Sequence, residues 1–177
     1  MIRLSIEKIQ NENDINISFT CGLEYIDDYI KNSFYSFLCK HQMILLCKIN
    51  NQIVGYILYC IDSVDCRQTE KMTDYFADSK SFGVVYMNYI AIEIDKQHNG
   101  YGKKFLSSFI KFIKQYSKSI PLRFIVIESL KDKTGWYSNI GFKILDNETH
   151  KENPQMFYDL LDKEEKDSIN NYIGGSI

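Results

Sequence analysis

A chain of 177 residues, 45% hydrophobic, 25% charged and 14% aromatic, is long enough for one domain with a sizeable core and too short to expect two, so residues 1–177 are read as a single domain. No run approaches the roughly 18 uninterrupted apolar residues of a membrane span, and a signal-peptide pattern is missing, so the expectation is a cytoplasmic protein with no membrane partner. Net charge is −2 but unevenly spread: residues 1–95 carry −5, residues 96–151 carry +7 and residues 152–177 carry −4, which leaves one block suited to a polyanion.

The chain opens with a short strand over Met1–Lys8. Phe19-Thr20-Cys21-Gly22 then leads into an expected helix from Leu23 to about Leu38, with Leu23, Ile26, Ile30 and Phe34 on one face. Glu24, Asp27 and Asp28 fall in its first two turns, where negative charge suits the helix dipole. Gln42–Ile49 and Gln52–Ile61 are apolar, strand-like runs joined by Asn50-Asn51. Asparagine tolerates the positive φ of a tight turn, so they predict a hairpin. Asp62–Phe82 is polar without a clear period and reads as an insertion or a substrate-side loop with a short helix.

From Val84 the chain is dense in β-branched and aromatic residues, the pattern of a buried strand. From Phe105 to Tyr116 it becomes an amphipathic helix, with Phe105, Leu106, Phe109, Ile110, Ile113 and Tyr116 at three- and four-residue spacing. Pro121–Ser129 is another β-rich run. A short helix from about Asp132 to Asn139 is stopped by Gly141 as a C-terminal cap. Phe142–Leu145 and Met156–Leu161 predict two last strands, and the tail from Asp162 predicts a helix that frays. The order β, α, β, β, β, α, β, α, β, β gives an α/β or α+β class with a mixed central sheet flanked by helices. Cys21, Cys39, Cys47, Cys60 and Cys66 show no C-x-x-C spacing and read as reduced core thiols. His41, His98 and His150 make no metal motif, so no metal is expected.

Between the central strand and its helix lies Gln97-His98-Asn99-Gly100-Tyr101-Gly102, followed by Lys103 and Lys104. A glycine in a first helical turn costs about 1 kcal/mol relative to alanine. Two cations at the positive end of a helix dipole are mildly destabilising as well. An anion held by the exposed first-turn N–H groups offsets both costs, so the stretch reads as a phosphate cradle. An ordinary strand-to-helix turn with a solvated lysine pair is the plainer alternative. The pattern Gln97-x-x-Gly100-x-Gly102, placed directly between a buried strand and an amphipathic helix, resembles the acyl-CoA pyrophosphate loop of the GNAT superfamily of N-acetyltransferases. Trp136-Tyr137-Ser138-Asn139-Ile140-Gly141-Phe142 resembles the late F/W-Y-x-x-x-G-F signature of the same superfamily, and the element order is similar to its fold.

The resemblance implies acetyl-CoA as the acyl donor and an amine as the acceptor. It assigns cofactor binding to Gln97, His98, Asn99, Gly100, Tyr101, Gly102 and Lys103, and backbone contacts with the pantetheine arm to Ile90 and Ile92. It makes Tyr137 the general acid toward the departing thiolate; a phenol with an ordinary pKa near 10 is protonated at pH 7 and can donate. A packing tyrosine is the plainer alternative. Asn88 stands where many members carry a basic glutamate and cannot accept a proton, so no general base is evident; Glu93, just past the strand, can serve directly or through water, and a solvent-facing or loop-capping carboxylate is its plainer alternative. Phe19-x-Cys21-Gly22-x-x-x-Ile26-Asp27-x-Tyr29-Ile30 is similar to a segment of the branch that includes toxins acetylating aminoacyl-tRNA. The expected acceptor is a primary amine of a small molecule or a protein, because net acidity opposes a long polyanion. Aminoacyl-tRNA, engaged through residues such as Lys131, Lys133 and Lys143, is the first alternative. A non-catalytic acyl-CoA-binding module is the second, and a homodimer is compatible with all three.

Overall fold

The computed structural model describes residues 3–65, 81–145 and 148–174. Among them, seven strands join one mixed sheet in the order β1–β2–β3–β4–β5–β7–β6, where β1 is Leu4–Lys8, β2 Met43–Ile49, β3 Gln52–Asp65, β4 Ser81–Ile92, β5 Phe124–Glu128, β6 Lys143–Ile144 and β7 Gln155–Asp159. The helices are α1 Glu24–Lys31, α2 Phe34–Leu38, α3 Tyr101–Ser117, α4 Thr134–Ser138 and α5 Lys163–Gly174. The chain divides into two compact units, one of Met1–Ile61 with Tyr86–Ile113 and the other of Asp62–Val85 with Lys114–Ile177.

In the first unit, β1, β2 and β3 pair antiparallel, with a register shift between Cys47 and Lys48. The β2–β3 turn is the expected one, with Asn50 at φ 49° and Asn51 at φ 67°. One face carries a core of Ile9, Phe19, Ile26, Ile30, Ile44, Leu46, Tyr56, Leu58 and Ala91. On α3 the expected stripe is buried through Phe105, Leu106, Phe109, Ile110 and Ile113, and Phe109 meets Tyr59 edge-on at 5.2 Å. Tyr116 departs from that stripe and is exposed.

The single helix expected from Leu23 to Leu38 is two. At the break, the Asn32 side-chain amide donates to the Asp28 carbonyl (2.8 Å) and the Ser33 hydroxyl to the Ile30 carbonyl (2.6 Å). Side chains that bond the backbone this way compete with continued helix, and here they end α1. Strand β3 also runs past its expected end, through Asp62–Asp65. Ile61, Asp62 and Ser63 are exposed, so no face has to be apolar and the period-2 signal disappears. Strand β4 begins at Ser81, inside the stretch read as a loop; residues 66–80 lie outside the described residues. The core-thiol reading holds for Cys47, which is buried, whereas Cys21 and Cys60 are half-buried and Cys39 is exposed on the rim of α2.

In the second unit, β7 pairs antiparallel with both β5 and β6. Phe82, Phe124 and Phe157 form an edge-to-face series at 5.6 Å spacing. Arg123 grips Asp159 through two guanidinium nitrogens, at 3.0 and 3.2 Å, and Lys166 of α5 reaches the same carboxylate at 3.0 Å. The two-pronged geometry tethers the strand pair more firmly than a single surface contact would.

Candidate active site

Strand β4 delivers the chain to the cradle. A Cβ on Gly55 would lie 2.3 Å from the Ala91 carbonyl oxygen, so the backbones of β3 and β4 meet there at a distance only glycine permits. The Glu93 N–H then donates to the Val54 carbonyl (2.8 Å), fixing the point at which the strand ends. Ile90 is half-buried, and Ile92 is buried in the core. The Ile92 carbonyl accepts from Gln97 Nε2 at 2.9 Å.

A 3-10 turn, Ile94–Lys96, leads to the loop, where Gln97 is extended, His98 has φ 59° and Gly100 has φ 75°. The Asn99 amide donates to the Gln97 carbonyl (2.9 Å) and the Lys96 carbonyl (3.4 Å), which closes the loop on itself. Helix α3 starts at Tyr101, and Lys104 N–H makes its first backbone bond, to the Gly100 carbonyl (3.3 Å). The N–H groups of Tyr101, Gly102 and Lys103 therefore precede any intrahelical acceptor. A Cβ built on Gly100 meets nothing within 4 Å, so the loop faces open space. Lys103 and Lys104 are exposed beside it, and Lys104 Nζ stands 6.0 Å from the centre of the Tyr101 ring. Helical N–H groups, a left-handed loop and two exposed cations fit a pyrophosphate.

Tyr137 belongs to the second unit, at the end of α4. A five-residue helix is far too short to persist alone, so its cap matters. Phe142 N–H donates to the Tyr137 carbonyl (3.2 Å) and Gly141 N–H to the Ser138 carbonyl (3.0 Å), with Gly141 at φ 113°. This is a Schellman cap, in which the aromatic residue after the glycine covers the third residue from the helix end. Here that contact is Phe142 on Tyr137, ring centres 5.5 Å apart, with Trp136 on the other side at 4.7 Å. The Tyr-x-x-x-Gly-Phe spacing thus has a folding cause of its own. Tyr137 as a residue is half-buried, and burial of its phenol pushes the pKa above the ordinary tyrosine value. The side chain stays protonated at physiological pH.

Glu93, the candidate base, is half-buried at the head of the 3-10 turn, and its carbonyl accepts from Lys96 N–H (2.9 Å). Asn88, further back on β4, has a buried amide oxygen with no hydrogen-bond donor among the described residues. Among the described residues no group of three His, Cys, Asp or Glu side chains is arranged to hold a metal ion, and no helix is long and apolar enough to cross a membrane.

The sequence reading missed Asp27. It stands in α1 as a carboxylate only 5% exposed, not as a solvated partner of the helix dipole. It accepts from the Thr20 hydroxyl (2.6 Å) and the Cys21 N–H (2.8 Å). Burial, the largest influence, would raise its pKa, but these donors, with the Cys21 thiol and the charge of Lys31, together outweigh it and hold the carboxyl below the usual range. The available signal was its place between Ile26 and Ile30, on the apolar side of α1.

No family model matches the chain, and no curated protein matches it by sequence. Solved structures do match. A tyrosine-to-phenylalanine mutant of KacT aligns with a TM-score of 0.78 at 18% identity, over 96% of this chain and 98% of that one. AtaT complexed with acetyl-methionyl-tRNAfMet aligns at 0.75 and 19% identity, over 97% and 99% of the two chains. A mutant AtaT toxin bound to the C-terminus of the antitoxin AtaR and acetyl-CoA aligns at 0.71 and 18% identity, over 95% and 96%. At such identities the likeness is one of fold, and it agrees with the element order. The chain has a GNAT-like fold, similar to that of AtaT and KacT.

Proposed function

We propose that this protein is an acetyl-CoA-dependent N-acetyltransferase acting on a primary amine by direct attack. The observation that carries the reading is the loop from Gln97 to Gly100, which opens onto the first-turn N–H groups of α3 through two left-handed residues. Those N–H groups and Lys103 hold the pyrophosphate, and the backbone of Ile90 and Ile92 takes the pantetheine arm as an added strand. The neutral amine attacks the thioester carbonyl carbon and forms a C–N bond and a tetrahedral oxyanion. Collapse breaks the C–S bond, and Tyr137 gives its proton to the departing thiolate. The proton lost by the amine, taken up by Glu93 or by water, is returned through solvent to the Tyr137 phenolate. The part given to Tyr137 rests on its motif and on the burial that keeps its phenol protonated.

A specific observation favours aminoacyl-tRNA over a small molecule or a protein as the acetyl acceptor. From Lys96 to Ile127 the sequence has seven Lys or Arg and no Asp or Glu; with Arg123 engaged by Asp159 and Lys96 by Asp95, the other five still make a cationic run around α3 larger than one pyrophosphate requires. AtaT, of the same fold, has been captured with acetyl-methionyl-tRNAfMet. An α-amino group on an aminoacyl ester has a low pKa and needs little help from a base, which suits a chain with Asn88 at its strand position. The test is transfer of labelled acetyl from acetyl-CoA to separate pools of small amines, proteins and charged tRNA. Label in any amine pool supports the transferase, and the pool names the acceptor. Tight acetyl-CoA binding with no label in any pool would leave a binding module instead.

A further inference from the structure

The segment before α1 is tied to the cradle at two places. Thr20 carbonyl accepts the Ile94 N–H (2.9 Å), and Cys21 carbonyl accepts Gln97 Nε2 (2.8 Å). Gly22, at φ 87°, packs so closely that a Cβ there would sit 3.0 Å from Ile94 Cδ1. The segment is itself held from both ends. On one side Phe19 meets Tyr56 edge-on at 5.0 Å, and the Tyr56 hydroxyl accepts from Asn16 N–H (2.8 Å) and donates to the Asp14 carbonyl (3.1 Å). On the other, the buried carboxylate of Asp27 takes the Thr20 hydroxyl and the Cys21 N–H, while Gly22 N–H donates to Thr20 Oγ1 (3.1 Å).

We propose that Asp27 and Gln97 are positioning residues for the pyrophosphate loop: Asp27 fixes the Thr20–Gly22 turn, and the turn, through Gln97, fixes where the loop leaves β4. The geometry separates this from a ligand role for the Gln97 side chain. A glutamine amide nitrogen has two hydrogens. Both are engaged, one with the Cys21 carbonyl and one with the Ile92 carbonyl. What remains is the amide oxygen, which a phosphate repels. Gln97 thus joins three backbones, the pre-α1 turn, the end of β4 and its own loop, directly before the left-handed pair His98 and Gly100. Displacing a binding group by about 1 Å is enough to cost about 10²-fold in function. This assignment rests on acetyl-CoA being the ligand of the loop.

Affinities for acetyl-CoA and for S-acetylpantetheine, which lacks the pyrophosphate, test it in the full chain by calorimetry. Gln97→Met keeps the side-chain shape and removes both donors; Thr20→Val keeps the shape and removes the hydroxyl that Asp27 holds. Each single variant is expected to weaken acetyl-CoA about tenfold, and Thr20→Val, which touches no part of the β4 backbone offered to the pantetheine arm, to leave S-acetylpantetheine unchanged. The double variant is expected to be no worse than the weaker single one, because both act through one turn. Additive losses would mean that Gln97 contacts the ligand directly and would overturn the proposal. Unchanged acetyl-CoA affinity would overturn it too, as would an equal loss for both ligands in Thr20→Val, the mark of a general structural defect. Should Gln97→Met not fold, Thr20→Val alone with Asp27→Asn decides by the same two affinities. The wild-type titration stands apart: if it shows no binding of acetyl-CoA, the proposed function itself fails.

Discussion

Tyr137 is placed by a helix cap, and the same cap explains much of the motif in which it stands. Gly141 supplies the left-handed residue and Phe142 the covering ring, so both are needed for folding before any chemistry is considered. What the cap does not need is the phenol oxygen. Tyr137→Phe should therefore retain the melting temperature and the affinity for acetyl-CoA and lose about 10²–10⁴-fold in turnover, measured by steady-state kinetics. Because burial raises the phenol pKa, the acid stays loaded through and beyond the ordinary tyrosine range. The pH–rate profile between about pH 6 and 9 should thus show no alkaline fall attributable to Tyr137. Asp27 gives a second prediction at this scale. Its folded pKa lies below the unfolded value, so its stabilisation is present above about pH 4 and is lost as pH falls through the folded pKa. Asp27→Asn should be less stable than wild type at pH 7, with the gap closing toward pH 2–3 in urea melts followed by circular dichroism.

At the scale of elements, α4 shows how little of a short helix comes from its own propensity. Replacing Gly141 by alanine forces a side chain into φ 113° and places its Cβ 3.1 Å from Tyr158. A loss of about 1–2 kcal/mol is expected in chemical denaturation. The turnover loss should accompany it, because the cap carries Tyr137. The elements also show what the sequence made legible. The Asn50-Asn51 hairpin, the buried β4, the amphipathic α3 and the Gly141 cap each had a local cause, and each formed. The helix break at Asn32-Ser33 did not announce itself, because the apolar period continues through it and only two side-chain bonds to carbonyls divide it. The extra length of β3 was hidden for the opposite reason: exposed residues pair without leaving a hydrophobic pattern. Asp27 was misread because its partner Thr20 lies seven residues away, outside the helix that suggested its role. For the cradle, the glycine and lysine positions were visible, whereas the engagement of the Gln97 amide with two carbonyls depended on chain segments far apart in sequence.

For the whole molecule, the question is how a chain of net charge −2 would meet a polyanionic acceptor. The acid-free run from Lys96 to Ile127 answers with a local surplus of cations rather than a global one. If aminoacyl-tRNA is the acceptor, its apparent affinity should fall steeply with salt, with a logarithmic slope of about −0.7 to −0.9 for each phosphate contacted. Neutralising Lys131, Lys133 and Lys143 together should reduce that slope and leave acetyl-CoA affinity in place. A flat salt profile with efficient transfer to small amines would return the acceptor to that class.

The central claim is that the loop before α3 binds the pyrophosphate of acetyl-CoA through close backbone approach. Calorimetric titration of acetyl-CoA into wild type and a folded Gly102→Glu variant tests it most directly. The variant puts a bulky anion on the first turn, where a phosphate has to sit against N–H groups. The account predicts saturable one-site binding to wild type and its loss, by about 10²-fold or more, in the variant. Unchanged affinity in that variant would contradict it.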